Sequence, residues 1–408
     1  MARSNPFLLS LLPILVLIAV PALAHAQSPS ASIGQECQRL AAAKIDWSDQ
    51  TVSTKHRKTW LETCRQAYAA NADDPRIKLA LAGALQNRAE SVPLLRAAAA
   101  QNDTEAMLAL FNDFNSFDRN LNRPDLIPRA EAEKALRGAA ERGDREAIWR
   151  LATILRRGGP FKHDLAESRR WGERALANPP RDMRPADIQV LVGQWLSESD
   201  NAAERKRGIE MLEPHAKAGR GDAQADLAVA IRAADPVRAR ALLESAVRTY
   251  PGHALAPLSD MLIKGEGGPK DEKRALALLQ GRSAVDAQHA KWALGQLYLE
   301  GRLVPRDVAM AVKLLGPWSQ WDYDTRLQIV KLLAENPEVA LSYPDRTLYR
   351  AIEDAELGEP GAMDTLIALK LSRHPQFADK AGGCGLAERA VKRGENVDAA
   401  RLAECRAK

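Results

Sequence analysis

The residue types that most often carry out chemistry are sparse and unpaired in this sequence. After residue 26 the histidines are His56, His163, His215, His253, His289 and His374. They form no His-x-His or His-Glu-x-x-His pair, and the chain holds no Gly-x-Ser-x-Gly. Zinc hydrolases and serine hydrolases need such spacings to bring ligands or a nucleophile to one point. We therefore predict no catalytic residue, no metal and no cofactor.

One glycine-rich run has the superficial look of a phosphate-binding loop. It is Gly-Glu-Gly-Gly-Pro-Lys, residues 265–270. A phosphate loop ends in Gly-Lys-Ser/Thr and follows a β-strand, so that its backbone N–H groups can surround the phosphates. This run has neither feature, and we interpret it as a turn between two helices.

Four cysteines lie near the two ends of the chain, at Cys37, Cys64, Cys384 and Cys405. No Cys-x-x-Cys occurs and no histidine lies at ligand spacing, which disfavours a metal site. In an oxidising compartment we predict two local disulfides out of three possible pairings, 37–64 and 384–405. Four unpaired buried thiols are the alternative.

The first 26 residues have the pattern of a secretory signal peptide. Arg3 supplies the positive start, residues 7–20 are apolar, and Ala24-His25-Ala26 is a small-x-small cleavage signal. An apolar run of about 14 residues is too short to span a bilayer comfortably, and no later run approaches 18. We predict cleavage after Ala26, export to the periplasm or beyond, and no membrane span.

Composition favours many small helix–helix contacts over one aromatic core. Of 408 residues, 46% are hydrophobic but only 5% are aromatic. The 58 basic and 53 acidic residues are interspersed and leave a net charge of only +5. The chain therefore lacks the basic stripe that nucleic-acid binding requires.

The elements that must position any functional residue are clearest between residues 290 and 315. Ala290, Leu294, Leu297 and Tyr298 recur at helical spacing and form one apolar stripe. Gly295 inside this helix costs roughly 1 kcal/mol relative to alanine unless a partner helix packs closely on it.

A short turn and a second helix follow. Gly301 can end the first helix because it can adopt a positive φ, and Asp307 can cap the second. The buried side of the second helix is predicted to hold Val308, Ala311, Leu314 and Leu315.

The same register occurs twice more, 36 and 143 residues earlier. The first set is Ala254, Leu258, Leu262, Gly265, Pro269, Asp271 and Ala275; the second is Ala147, Leu151, Leu155, Gly158 and Asp164. A period in the thirties with two helices per unit is typical of a helical solenoid. We predict an all-α array of about nine antiparallel helix pairs over residues 75–395, with capping helices over 27–74 and a cap helix over 396–408.

The pattern A-x3-L-G-x2-Y-x2-G, followed by D-x3-A, resembles the Sel-one-like repeat (SLR), a relative of the tetratricopeptide repeat. The unit with the full pattern carries Ala290, Leu294, Gly295, Tyr298, Gly301, Asp307 and Ala311. The unit at 254 has Ser259 and Leu262 in place of the glycine and tyrosine, and the unit at 147 has Ala152 and Leu155. The resemblance implies a right-handed superhelix whose concave face is lined by first helices. It also implies scaffold or adaptor work at the bacterial envelope without shared chemistry.

On that concave face, four positions of each first helix point away from the second helix. They are Trp149, Thr153, Arg156 and Arg157; Ala256, Asp260, Ile263 and Lys264; and Trp292, Gln296, Leu299 and Glu300. Two tryptophans at one equivalent position could hold a peptide or a sugar ring. The alternative is that each packs against a neighbouring repeat. Trp318, Trp321 and Tyr323 form a second candidate patch, and His253 and His289 occupy equivalent positions that we interpret as helix surface.

These patterns favour an exported, non-enzymatic scaffold that holds an envelope protein or peptide, in envelope or exopolysaccharide assembly or in signalling. A binder of glycans or cell-wall fragments with weak hydrolytic activity is the alternative, and a purely structural protein is a third. The sequence does not indicate the oligomeric state.

Overall fold

The computed structural model describes residues 29–45, 48, 50–115, 126–158, 161–283, 288–320, 322–395 and 397–407. The predicted signal peptide and Trp321 lie outside these residues. The chain divides into two compact units, Met1–Leu94 and Leu95–Lys408.

The N-terminal unit contains α1 (Pro29–Ala41), α2 (Gln50–Ala70) and α3 (Pro75–Ala84). Its core includes Trp60 and Ile77, and the Cys37–Cys64 disulfide joins α1 to α2. Helix α3 begins where the sequence favours a start, because Asp74 accepts a hydrogen bond from the backbone N–H of Arg76 and a proline follows it. The predicted 37–64 pairing is confirmed.

Helix α4 (Arg88–Ala99) crosses the division. The remaining helices belong to the C-terminal unit. They are α5 (Thr104–Asn115), α6 (Arg129–Glu141), α7 (Arg145–Arg157), α8 (Leu165–Ala177), α9 (Pro185–Ser197), α10 (Ala202–Lys217), α11 (Gly221–Ile231), α12 (Pro236–Thr249), α13 (Pro251–Lys264), α14 (Glu272–Ser283), α15 (Gln288–Glu300), α16 (Val308–Leu315), the 3-10 helix η1 (Gly316–Gln320), α17 (Tyr323–Glu335), α18 (Pro344–Leu357), α19 (Ala362–Leu371), α20 (Lys380–Lys392) and α21 (Ala399–Arg406). No strand occurs among the described residues, which confirms the all-α prediction; the count of nine pairs stays a prediction.

The three hairpins that share the sequence register also share one turn. The backbone N–H of the capping aspartate bonds back to the first helix, from Asp164 to Leu155 (2.9 Å), from Asp271 to Leu262 (2.9 Å) and from Asp307 to Tyr298 (3.0 Å). In each hairpin the aspartate side chain then accepts a bond from the backbone N–H three residues later. The repeat is therefore a repeat of hydrogen bonding as well as of apolar spacing.

In two of these hairpins the turn begins with a glycine in the left-handed conformation. Gly265 and Gly301 end α13 and α15 with φ of 73° and 65°, a left-handed conformation that costs a side-chain-bearing residue free energy. At Gly295, inside α15, an added Cβ would lie 2.8 Å from Cγ of Leu315, so the missing side chain lets α16 approach closely.

Successive second helices are joined by arginine–glutamate ion pairs. The pairs include Arg169–Glu204 (2.9 Å), Arg238–Glu213 (2.7 Å) and Arg274–Glu244 (2.5 Å). Exposed ion pairs contribute only about 0–1 kcal/mol each. These ion pairs therefore contribute more to the alignment of one helical hairpin on the next than to the stability of the fold.

The C-terminal end is closed by the second predicted disulfide. Cys384–Cys405 joins α20 to α21, which confirms the 384–405 pairing. Helix α21 has no buried residue, and Arg401 reaches back to α19, where it pairs with the Asp364 carboxylate and donates to its backbone carbonyl (2.9 Å).

Candidate partner-binding groove

The most open large aromatic side chain on the first helices is Trp292, in the middle of α15. It is 36% exposed, and its Nε1 donates to Oγ1 of Thr325 on α17 (3.2 Å). The hydrogen bond to α17 thus holds the indole in one orientation, while about a third of the side chain faces solvent. This combination suits a contact residue better than a core residue.

Two cavities lie on either side of Trp292. The first, of about 560 Å³, lies between α13 and α15. It is lined by Arg232, Ala256, Pro257, Ser259, Asp260, Ile263, Leu279, Trp292, Ala293, Gln296, Leu297, Glu300 and Arg302. The second, of about 540 Å³, lies between α15 and α17 and is lined by Trp292, Gln296, Asp322, Asp324, Thr325, Leu327, Gln328 and Lys331. We call the surface formed by both cavities the Trp292 groove.

Asp260, in the lining of the first cavity, is the acidic group that three basic side chains share. Its carboxylate lies 2.6 Å from Arg232, 2.8 Å from Lys264 and 3.6 Å from Arg302. Burial alone would raise the pKa of Asp260, but hydrogen bonds from Lys264 and Arg232 outweigh burial and hold the pKa below its usual value. The predicted contact residues Asp260 and Lys264 therefore form an ion pair with each other.

The floor between the two cavities is made of side-chain amides. Gln296 and Gln328 exchange two hydrogen bonds across α15 and α17, of 3.0 and 3.2 Å. Each amide has a further donor and acceptor, the two groups that a peptide backbone also presents. Glu300, at the end of α15, closes the first cavity, where it lies 3.3 Å from Arg302.

The four predicted contact residues on α7 have a different environment. Trp149 stacks on Trp195 of α9, with ring centroids 5.2 Å apart and planes 9° apart. Arg156 pairs with Glu198, and its guanidinium lies 5.5 Å above the Trp195 ring. Thr153 donates to the backbone of its own helix and Arg157 is exposed. Trp149 thus stacks on an aromatic ring of a neighbouring repeat, whereas Trp292 contacts its neighbouring repeat through the hydrogen bond to Thr325 and stays 36% exposed.

A row of rings that the sequence did not indicate as a cluster crosses the starts of α13 and α15. Tyr250, His253, His289 and Trp318 follow one another with centroids 5.1, 4.8 and 4.9 Å apart. Nδ1 of His253 lies 3.5 Å from a carboxylate oxygen of the buried Asp226. The equivalent positions of the two histidines were the one available signal. Their contact depends on how the pairs stack.

Opposite pKa shifts distinguish the two histidines. The hydrogen bond to Asp226 raises the pKa of His253. Burial, together with the charge on His253, lowers the pKa of His289 to about 4. The ring of His289 is therefore neutral across the pH range in which a free histidine gains its charge.

This shift predicts acid sensitivity that depends on His289. Its pKa is lower folded than unfolded, so the stability it contributes is complete above pH 6.5 and is lost as the pH falls toward 4. Between pH 7 and 4.5 the free energy of unfolding should fall in a His289→Gln variant by about 1 kcal/mol less than in wild type. This figure allows for the partial exposure of His289. Thermal unfolding followed by circular dichroism at both pH values measures this.

His253→Gln is the matched control for that experiment. It removes the neighbouring charge, so the pKa of His289 should rise, which NMR titration of the His289 ring measures directly. Unfolding is not the readout for this variant, because His253 has a raised pKa and itself stabilises the fold at low pH. Equal acid losses in wild type and in His289→Gln would contradict the interpretation.

Among the described residues, no group of three histidine, cysteine, aspartate or glutamate side chains could hold a metal ion. None of the helices described is long and apolar enough to cross a membrane.

Comparison with known proteins gives similarity in fold alone. No protein-family model matches the sequence, and no curated protein matches it. A solved Sel1 repeat protein from Oxalobacter formigenes is 21% identical, with a TM-score of 0.41, covering 80% of this chain and 97% of its own. A protective antigen present in uropathogenic Escherichia coli strains, which displays an SLR fold, is 18% identical, with a TM-score of 0.36, covering 85% and 81%.

The repeated hairpins of this chain share specific structural features. Three share the glycine-ended first helix and the capping aspartate that bonds back to it, and the hairpin α15–α16 also has the close glycine packing of the SLR pattern. The chain is therefore a helical-repeat protein in which the hairpin α15–α16 carries the full set of these features.

Proposed function

We propose that the protein is an exported, non-catalytic scaffold that holds an extended segment of an envelope protein across the Trp292 groove. The observation that carries this proposal is the pair of cavities on either side of a hydrogen-bonded tryptophan that is 36% exposed. Both cavities lie on first helices, the face that repeat proteins of this architecture use for extended partners.

The size and chemistry of the groove suit a polypeptide. Each cavity has room for one or two side chains, and Trp292 separates them as a wall. The amides of Gln296 and Gln328 lie between the cavities, where the backbone of a bound segment would cross. The charges of Asp260 and Arg232 are already paired, so a partner need not supply compensating ions.

Export is supported by the two disulfides and by the predicted signal peptide. Structural disulfides persist in oxidising compartments such as the bacterial periplasm and are rare where thiols are kept reduced. The proposal therefore places the partner in the envelope or beyond. Assembly of the envelope or of an exopolysaccharide, or signalling, is the setting we favour.

The test places a photo-crosslinking amino acid at Gln296 and recovers the adduct from envelope extract. We expect one defined protein, and a synthetic segment of it should bind the purified chain. Replacing Trp292 with alanine should weaken that binding about 10- to 30-fold, the range of a tryptophan hot spot. Binding is measured by isothermal titration calorimetry.

Trp149→Ala is the matched control, because it makes the same change at the equivalent repeat position. Loss of the stack on Trp195 should lower stability while leaving the affinity of the folded protein within about threefold of wild type. Equal losses of affinity in both variants would contradict the proposal. So would a thermal shift with peptidoglycan fragments without any crosslinked protein, because that result would favour glycan binding.

A further inference from the structure

Residues of the C-terminal unit that lie far apart in the sequence, 196 positions in the case of His163 and Glu359, are in direct contact. Arg129, the first residue of α6, lies 3.6 Å from the carboxylate of Glu353 and 3.7 Å from that of Glu356, both on α18. The backbone N–H of His163, in the turn between α7 and α8, donates to Oε1 of Glu359 at 2.7 Å. Glu359 lies just beyond α18, in the turn that leads to α19.

The order of the helices gives this contact its meaning. Consecutive helices pack on one another, and neighbouring first helices also touch, as α11 touches α13 and α13 touches α15. When hairpins stack one after another in chain order, α6 and α18 can meet only if the stack curves through a superhelical turn. The contact therefore joins the early part of a superhelical turn to its late part.

The two halves of the contact differ in tightness. Glu359 is 6% exposed, and its short bond comes from a backbone N–H, which cannot move without moving the turn. Arg129 is held less tightly. The carboxylates of Glu353 and Glu356 lie beyond direct hydrogen-bond distance from its guanidinium, and its buried Nε has no hydrogen-bond partner. Glu353 also accepts hydrogen bonds within α18, from Tyr349 (2.9 Å) and Arg350 (2.7 Å). It therefore keeps these two partners if Arg129 moves away.

We propose that Arg129, His163, Glu353, Glu356 and Glu359 form a latch that holds one superhelical turn of the C-terminal unit closed. The contact is small, and its arginine side depends on charge attraction across a partly exposed gap. Rising ionic strength weakens the arginine side of the latch, so the closed turn loosens and the pitch of the coil increases, although the buried bond between His163 and Glu359 is screened less. The stacking of neighbouring pairs, which rests on their apolar core, is retained.

The experiment measures a distance across the latch. Lys134 on α6 and Asp345 on α18 are exposed, and replacing both with cysteine allows spin labels to be attached. All four native cysteines are in disulfides, so only the added ones react. We expect a narrow distance distribution at low salt by pulsed electron paramagnetic resonance. A longer component should grow at least about threefold at 1 M salt, where the Debye length is about 3 Å.

Charge reversal separates the latch from general screening. Arg129→Glu should open the coil at low salt, and a glutamate at the first position of α6 remains favourable to that helix. Adding Glu356→Arg should restore the short distance. Arg274→Glu is the control, because it breaks an ion pair between neighbouring second helices and should leave the distance unchanged.

A second pair of variants keeps the test decisive if Arg129→Glu fails to fold. Glu359→Ala removes the acceptor and should open the coil, whereas Glu359→Gln keeps an acceptor for the N–H of His163 and should open it less. Unchanged distances in Arg129→Glu and Glu359→Ala would overturn the proposal. So would an equal opening in Arg274→Glu.

Discussion

Replacing Arg326 with methionine is expected to lower the free energy of unfolding by about 3–5 kcal/mol, because it leaves a buried carboxylate without its partner. Arg326 donates two hydrogen bonds to Asp354, of 2.5 and 3.0 Å, and a third to the backbone of Ser319 at 2.7 Å. Both side chains of the pair are less than 5% exposed. Burial raises the pKa of Asp354, so this charge depends on the arginine. Denaturant unfolding followed by circular dichroism measures the loss.

The same substitution at an exposed ion pair is the control. Arg274→Met breaks the pair with Glu244 and should cost less than about 1 kcal/mol. The double variant Arg326→Met/Asp354→Leu removes both buried charges and should regain most of the loss. If Arg326→Met and Arg274→Met cost the same, the buried pair does not have the role assigned to it.

Gly208→Ala is expected to cost about 3 kcal/mol, because α9 and α10 cross at this residue with no room for a side chain. An added Cβ would lie 2.4 Å from the backbone nitrogen of Ser197 and 2.5 Å from the backbone oxygen of Gly193. Backbone atoms cannot turn aside as a flexible side chain can, so the two helices would have to separate. Thermal and denaturant unfolding report the change.

Gly281→Ala gives the opposite prediction within the same architecture. Gly281 is also inside a helix, α14, but an added Cβ there would have no atom within 4 Å. The helix propensity of alanine should then raise stability by up to about 1 kcal/mol. Changes of the same sign and size at both glycines would show that helix propensity, and not close packing, determines the effect.

The sequence predicts what depends on neighbours along the chain. The glycine that ends a first helix and the aspartate that caps the next are a few residues apart, so Gly301 and Asp307 could be recognised together. Local spacing also indicated both disulfides. The all-α class followed from apolar spacing that persists over many turns.

What the sequence could not predict depends on how one pair lies on the next. Trp149 and Trp292 occupy the same motif position, but the facing residue is Trp195 in one case and Thr325 in the other. That single difference leaves one tryptophan stacked and the other open. The latch and the His253–His289 contact have the same origin, because no local pattern records which helices meet across a turn.

The Cys384–Cys405 disulfide makes the attachment of α21 depend on the redox environment. Helix α21 has no fully buried residue, so its attachment rests on the covalent bond to α20, on Arg401 and on the partly buried Leu402, which packs against the core. In a thiol-rich compartment the bond would be reduced, and α21 would be held by its noncovalent contacts alone. Proteolytic cleavage within α21 would thus report which redox environment the protein has passed through.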